Sequence, residues 1–186
     1  MADELAIPVI RAFWAIDLPQ ELKTALGALQ ERLRTDLPPA HWPPPENFHL
    51  TLAFLGNIPE TALPQALEAG RQVATAHRPF SLHTTDLGAF PDPKRARILW
   101  LGLQADASLA RLVLDLQQSM GALGLNLDDK PFIPHLTLAR MKSPVPIHLD
   151  APKLAATVHV QELVLFQSAS GPRGSIYTPL GTSPLG

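Results

Sequence analysis

The nine residues FHLTLAFLG, Phe48–Gly56, contain the pentapeptide HLTLA, and the same pentapeptide returns in PHLTLAR, Pro134–Arg140. In a chain with only seven histidines, writing His-Leu-Thr-Leu-Ala twice calls for a reason. Both copies read as β-strands, in which successive side chains point to opposite faces. His49 and Thr51 then share one face and Leu50 and Leu52 the other; His135 and Thr137 stand likewise against Leu136 and Leu138. Each copy buries a leucine pair and presents a histidine–threonine pair.

Outward from these strands the elements alternate. Val9–Ile16 (VIRAFWAI) is β-branched and aromatic and stops at Asp17-Leu18-Pro19, so it reads as a strand followed by a proline-initiated helix. Leu22, Leu26, Leu29 and Leu33 recur at helical spacing over Gln20–Leu33. The proline-rich Asp36–Asn47 fits neither helix nor central strand and reads as a loop leading into the first HLTLA. A helix is expected over Glu60–Ala76, then a strand pair, Phe80–Phe90 and Arg97–Leu103, joined by PDPKRA. Ala107–Leu123 carries Leu109, Leu112, Val113, Leu116, Met120 and Leu123 on one stripe, and the loop Gly124–Pro134 delivers the second HLTLA. Pro144–Pro152 reads as irregular, Thr157–Gln167 as one long strand, GPRG as a turn and Ser175–Leu180 as a short closing strand. No short period runs through the chain, which argues against a solenoid. Two halves that each deliver a helix, a loop and an HxT strand indicate an α+β fold with approximate internal two-fold symmetry, the HxT strands side by side or facing across a cleft.

The 186 residues suit one compact domain, or two small lobes sharing a core, and 46% hydrophobic with 17% charged residues is ordinary globular usage. There are no cysteines, which excludes disulfides and thiolate metal sites and agrees with a reducing cytoplasm. The N-terminal stretch begins with acids and is interrupted by Pro8 and Arg11, unlike a signal peptide, and no run is long enough to span a bilayer. A soluble, cytoplasmic protein is expected, with a monomer as the simplest state. A net charge of −2 argues against a long phosphate-binding track, while local positive charge at Lys94, Arg95 and Arg97, at Arg140 and Lys142, and at Arg173 leaves room for a few phosphates.

Histidine is the side chain that takes either protonation state near neutral pH, so two in one cleft can divide acid and base between them. Two threonine hydroxyls on the same faces add neutral donors. That set suits in-line displacement at a phosphodiester: one imidazole activates the incoming oxygen, the other protonates the departing one, and the hydroxyls hold the nonbridging oxygens. It calls for no metal and no cofactor. A lone HxT is weak, but two copies with identical apolar neighbours, each entered from a proline-containing loop, are not. His77 and His148 read as surface or loop residues, and His83 and His159 lie on strands without the threonine pattern. His41 lies in the loop before the first motif. Among aromatics Trp100 reads as core, Trp42 is open, Phe132 lies beside the second motif and can touch substrate, and Tyr177 is open between core and substrate. Arg140 falls on the face opposite Thr137 if the strand is regular, and a bulge would bring it round to the phosphate.

With RAFWAIDLP, WPPPENFHLTLAFLGNIPE, FPDPKRARILWLGL, FIPHLTLAR and ELVLFQSASGPRGSIYTPL in this order, the chain resembles, over nearly its whole length, the two-histidine phosphoesterases. Within them it is similar to the LigT-like RNA 2′,3′-cyclic phosphodiesterases, also called 2′-5′ RNA ligases. The resemblance implies one domain, 1–186, of two intertwined, pseudo-symmetric lobes, each an antiparallel sheet with helices, and an active-site cleft between them. It implies metal-independent opening of 2′,3′-cyclic phosphate ends of RNA or tRNA fragments to 2′-phosphomonoesters, with 2′-5′ ligation as a reversible side reaction. Carried over, His49 is the proton donor, His135 the proton acceptor, and Thr51 and Thr137 bind phosphate; Arg140 matches the family residue after the second motif. Where relatives often carry an arginine beside the tryptophan this chain has His41-Trp42, which would either lower the affinity for RNA phosphates or make that contact pH-dependent. Beside this reading stand a phosphodiesterase for small cyclic nucleotides, an RNA-end or tRNA-fragment binding protein with incidental turnover, and a structural protein in which the HxT pairs merely pack.

Overall fold

The computed structural model describes residues 7–104, 106–127, 130–150, 153–172 and 174–186. Strand β1 (Val9–Asp17) leads through Pro19 into helix α1 (Gln20–Leu33), whose Leu22, Leu26, Leu29 and Leu33 are buried as their spacing requires. A short strand β2 (Ala40–His41) precedes β3 (His49–Pro59), which carries the first motif. A single 3-10 turn opens α2 (Leu63–Thr75). The second half runs β4 (Phe80–Phe90), β5 (Ala96–Leu103), α3 (Ala107–Ala122), β6 (His135–Val145, the second motif), β7 (Thr157–Val160), β8 (Glu162–Gly171) and β9 (Gly174–Pro184).

These strands make two sheets, β3-β1-β8-β9 and β2-β6-β5-β4-β7, with every pairing antiparallel. The fold is α+β with two lobes, and each sheet holds one HxT strand. The halves of the chain exchange pieces. Strand β2, from the first half, pairs with β6, and the hairpin β8–β9, from the second, completes the first sheet against β1. One continuous core runs beneath both sheets and all three helices. Its largest member is Trp14, fully buried and lying so close over Gly70 of α2 that a Cβ there would stand 2.1 Å from the ring.

Both motif strands carry a bulge at the same place. Trp14 pairs with Ala53 and Ala15 with Thr51, leaving Leu52 as the extra residue on β3; Leu99 pairs with Ala139 and Trp100 with Thr137, leaving Leu138 extra on β6. A bulge shifts the alternation by one. Ala53 and Ala139, which a regular strand would place beside the histidines, are buried, and Phe54 and Arg140 turn to the histidine face instead. A bulged residue leaves its carbonyl outside the regular ladder, and here each one finds a glutamine amide. Gln30 Nε2 on α1 donates to Leu138 O at 2.8 Å and also to Pro43 O, while Gln117 Nε2 on α3 donates to Leu52 O at 3.4 Å. The helix before each motif thus braces the other motif's strand, a two-fold relation more local than the sheets themselves.

Several expectations are corrected. The strand expected over Thr157–Gln167 is two strands broken at Gln161 and belonging to different sheets. Its alternation changes phase, with Val158 and Val160 buried and then Leu163 and Leu165, which one straight strand cannot satisfy. The closing strand is longer than Ser175–Leu180, and its Pro179 and Pro184 are tolerated because β9 is a sheet edge. The loop Asp36–Asn47 includes the edge strand β2, β6 continues through Pro144, and Leu123, past the end of α3, is 37% exposed rather than core. Among the described residues no helix is long and apolar enough to cross a membrane.

Candidate active site

The first residue of each motif strand is its histidine, and in both cases the backbone just before the strand decides how the ring stands. His49 Nδ1 lies 2.7 Å from Asn47 O and His135 Nδ1 lies 2.6 Å from Ile133 O. A carbonyl oxygen only accepts, so Nδ1 carries the proton in both rings and donates it; Nε2 is left as the working nitrogen. The Thr51 hydroxyl donates to neutral His49 Nε2 at 3.0 Å. The two histidines share the bond from Nδ1 to the carbonyl two residues before.

Both motifs line one cavity of about 380 Å³ between the sheets, where His49, Thr51, His135 and Thr137 come together. Arg140 lines it too, because the bulge at Leu138 has moved it onto the Thr137 face; of the two placements the sequence allows, regular strand or bulge, the structure has the bulge. Tyr177 on β9 also lines it, its ring edge-on to His49 with centroids 5.1 Å apart. Phe132 does not line this cavity but an adjoining one. His41 pairs in register with Arg140 and sets its ring against the backbone at Gly174, beside the cavity rather than in its wall. Trp100 packs near His135 with its ring centroid 6.1 Å away. His83 and His159 make cross-strand bonds to Thr157 and Ser81 away from the cavity, Lys94 and Arg95 form a turn capped by Asp92, and Arg173 lies outside the described residues.

Further contributors were not singled out from the sequence. Arg11 and Phe13 of β1 line the cavity, with the Arg11 guanidinium over the Phe54 ring at 4.6 Å. An arginine inside the apolar run VIRAFWAI, in phase with Phe13, was the available signal. Behind His49, the Lys23 ammonium, on a residue only 8% exposed, bonds Asp17 at 2.6 Å; no local sequence signal pairs them with the motif. Asn47 matters twice: its carbonyl fixes His49, and its side-chain amide donates to Ser175 O at 2.7 Å, tying the motif to β9.

Burial holds the His49 imidazole down, from the ordinary 6.5 to about 4, against the opposing pull of the Asn47 carbonyl and the Asp17 carboxylate. His135 is likewise lowered, by burial first and by the Arg140 guanidinium as well, with the Ile133 carbonyl opposing. Both rings are therefore neutral at neutral pH. A carboxylate favouring the charged form acts on His49, whereas none is among the influences on His135. Two neutral imidazoles, two hydroxyls and an arginine around one small space can accept a proton, donate hydrogen bonds and attract an anion.

The chain is similar to known proteins over most of its length. The family model of LigT-like phosphoesterases matches residues 16–100 and 101–177. An RNA 2′,3′-cyclic phosphodiesterase of Thermus thermophilus is 33% identical over 178 residues, covering 92% of this chain and 88% of that protein. Another, of Geobacillus stearothermophilus, is 34% identical over 161 residues; the match takes in 84% of this chain but only about half of that longer protein, 51%. A crystal structure of a Thermus thermophilus protein superposes with a TM-score of 0.84 at 32% identity, covering 95% of this chain and 98% of that one. The structure of E. coli LigT complexed with 3′-AMP superposes with a TM-score of 0.78 at 28% identity, covering 96% and 99%. On these matches the chain belongs to the LigT-like phosphoesterases.

Proposed function

We propose that this chain is an RNA 2′,3′-cyclic phosphodiesterase that opens the cyclic phosphate to a 2′-phosphomonoester by histidine acid–base catalysis. The observation that carries the reading is the pair of Nδ1–carbonyl bonds, which leave two Nε2 atoms for one cavity that also holds Thr51, Thr137 and Arg140. The names of the relatives support the substrate class.

The cyclic phosphate lies between the histidines, its nonbridging oxygens on the threonine hydroxyls and near Arg140. Its negative charge raises the His49 pKa, so that binding brings a proton onto Nε2. His135 Nε2 takes a proton from water as the oxygen attacks phosphorus, and His49 Nε2–H protonates the departing O3′. The Asp17 carboxylate behind His49 suits it to the donor role. Run with a 5′-hydroxyl in place of water, the same displacement gives a 2′-5′ linkage. The substrates in this reading are RNA or tRNA-fragment ends, and the protein works in the cytoplasm as a monomer without a metal.

The test is hydrolysis of an oligonucleotide ending in a 2′,3′-cyclic phosphate, in EDTA, by wild type and by the variants His49→Ala and His135→Ala. Turnover in chelator to a 2′-phosphate, reduced by about 10²–10⁴ in each variant, is expected. A folded wild type without turnover overturns the reading.

A further inference from the structure

Lys23 occupies a place that helix stability alone does not favour. It stands in the first turn of α1, at the positive end of the helix dipole, and only 8% of the residue is exposed. A buried ammonium is tolerated only when it is paired. Its Nζ bonds Asp17 Oδ1 at 2.6 Å and donates to Glu46 O at 3.3 Å. Both partners belong to the setting of His49. Asp17 is the β1 residue opposite His49 in the ladder. Glu46 sits in the 3-10 turn Pro45–Asn47, whose last residue supplies the carbonyl that accepts from His49 Nδ1. The second motif is held otherwise. Pro134 O accepts from the backbone N–H of Leu103 at 3.0 Å, and Ile133, whose carbonyl accepts from His135 Nδ1, is 44% exposed.

We infer that Lys23 is a positioning residue of the first motif's histidine: one ammonium ties the carboxylate beside His49 to the turn that holds its Nδ1–H, and so keeps Nε2 turned to the cavity. The inference rests on the acid–base reading above, in which His49 gains and gives its proton at Nε2. In the other tautomer the ring's lone pair would face the Asn47 carbonyl, and loss of the Nε2 proton would leave an imidazolate instead of a neutral ring. Lys23 also moderates charge. Around His49 stand Asp17 and, further along β1, Arg11, with Lys23 on α1, Arg140 on β6, Tyr177 on β9 and His135 in the same cavity. Of these the Asp17 carboxylate favours the protonated ring, while Lys23 and Arg140 oppose it. Removing one or the other member of the pair therefore moves His49 in opposite directions.

The experiment reads the ring nitrogens of His49 and His135 by ¹⁵N NMR against pH in wild type, Lys23→Met and Asp17→Asn, beside hydrolysis of the cyclic-phosphate oligonucleotide. Wild type should show both rings in the Nδ1–H tautomer. In Lys23→Met, His49 should show both tautomers, its titration midpoint should rise, and kcat should fall about tenfold; in Asp17→Asn the midpoint should fall. His135 keeps its tautomer throughout and serves as the control inside the same molecule. Should Lys23→Met not fold, the double variant Asp17→Asn/Lys23→Met, which buries no unpaired charge, carries the same tautomer test. A single Nδ1–H tautomer for His49 in the folded Lys23 variant, or equal changes in both histidines, overturns the positioning role and leaves the hydrolase standing. Mixed tautomers in folded wild type overturn it as well. Absence of hydrolysis in wild type with the tautomers as expected overturns the acid–base reading and leaves Lys23 as the holder of the ring.

Discussion

A histidine held neutral by its surroundings and asked to give up a proton is sensitive to what binds beside it. With both imidazoles lowered below 6.5, the form of the free enzyme bearing a proton on His49 thins out as pH rises. Above pH 6.5, kcat/KM should fall by up to about tenfold per unit, while the fall in kcat lies at higher pH because bound phosphate raises the donor. A kcat/KM that climbs from pH 7 to 8 would contradict the donor role. The same shift bears on stability. The unfolded chain protonates His49 near 6.5 and the folded one near 4, so its contribution is complete above 6.5 and is lost as pH falls toward 4. That is worth up to about 3 kcal/mol; the urea midpoint of His49→Gln should therefore vary less than wild type between pH 7 and 4. The histidines and threonines were legible in HLTLA because a period of two holds over its first residues. For Arg140 the strand pattern alone left two faces open, and Phe54 was not placed at all, since one bulged leucine reverses the face of everything after it. Tyr177 needed the hairpin to fold back on β1 before its neighbour could be known.

Single elements carry the next set of consequences. Glycine to alanine inside a helix ordinarily stabilises by about 1 kcal/mol. In α2 the sign reverses, since a Cβ at Gly70 would stand 2.1 Å from the Trp14 ring, which has nowhere to go in a closed core. Gly70→Ala should cost about 2 kcal/mol or more and lower the melting temperature by several degrees; an unchanged melting curve would mean that Trp14 is not packed there. Gln30, 2% exposed, is the other case. Gln30→Leu leaves the carbonyl of the bulged Leu138 without its amide, at about 1–3 kcal/mol, and frees the turn that aims Arg140. Turnover should then drop together with stability, whereas Gln118→Leu, exposed on α3, changes neither. Helices α1 and α3 could be read from leucine spacing, because burial of a stripe is a local pattern. The split at Gln161 could not be read as a change of sheet: the phase slip between Val160 and Leu163 is visible, but which strand each piece pairs with is decided by distant partners.

At the scale of the whole molecule, the cleft exists because two lobes meet at their motif strands and are pinned there from both sides. Gln30 and Gln117 run from one half's helix to the other half's strand, and Asn47 holds β9 against the first motif. Repetition of HLTLA announced the pairing of the halves but not the exchange of strands between them. That exchange has a consequence for the order in which the molecule is made. Strand β1 is synthesised early, yet one of its edges is covered only by β8, near the other end of the chain. Until the ribosome has released that hairpin, Phe13 and Trp14 sit on a strand with an open edge, which is a template for pairing with other chains. The first lobe therefore cannot mature while the second is still being translated, and a nascent chain halted before Glu162 is the species a chaperone would have to shield.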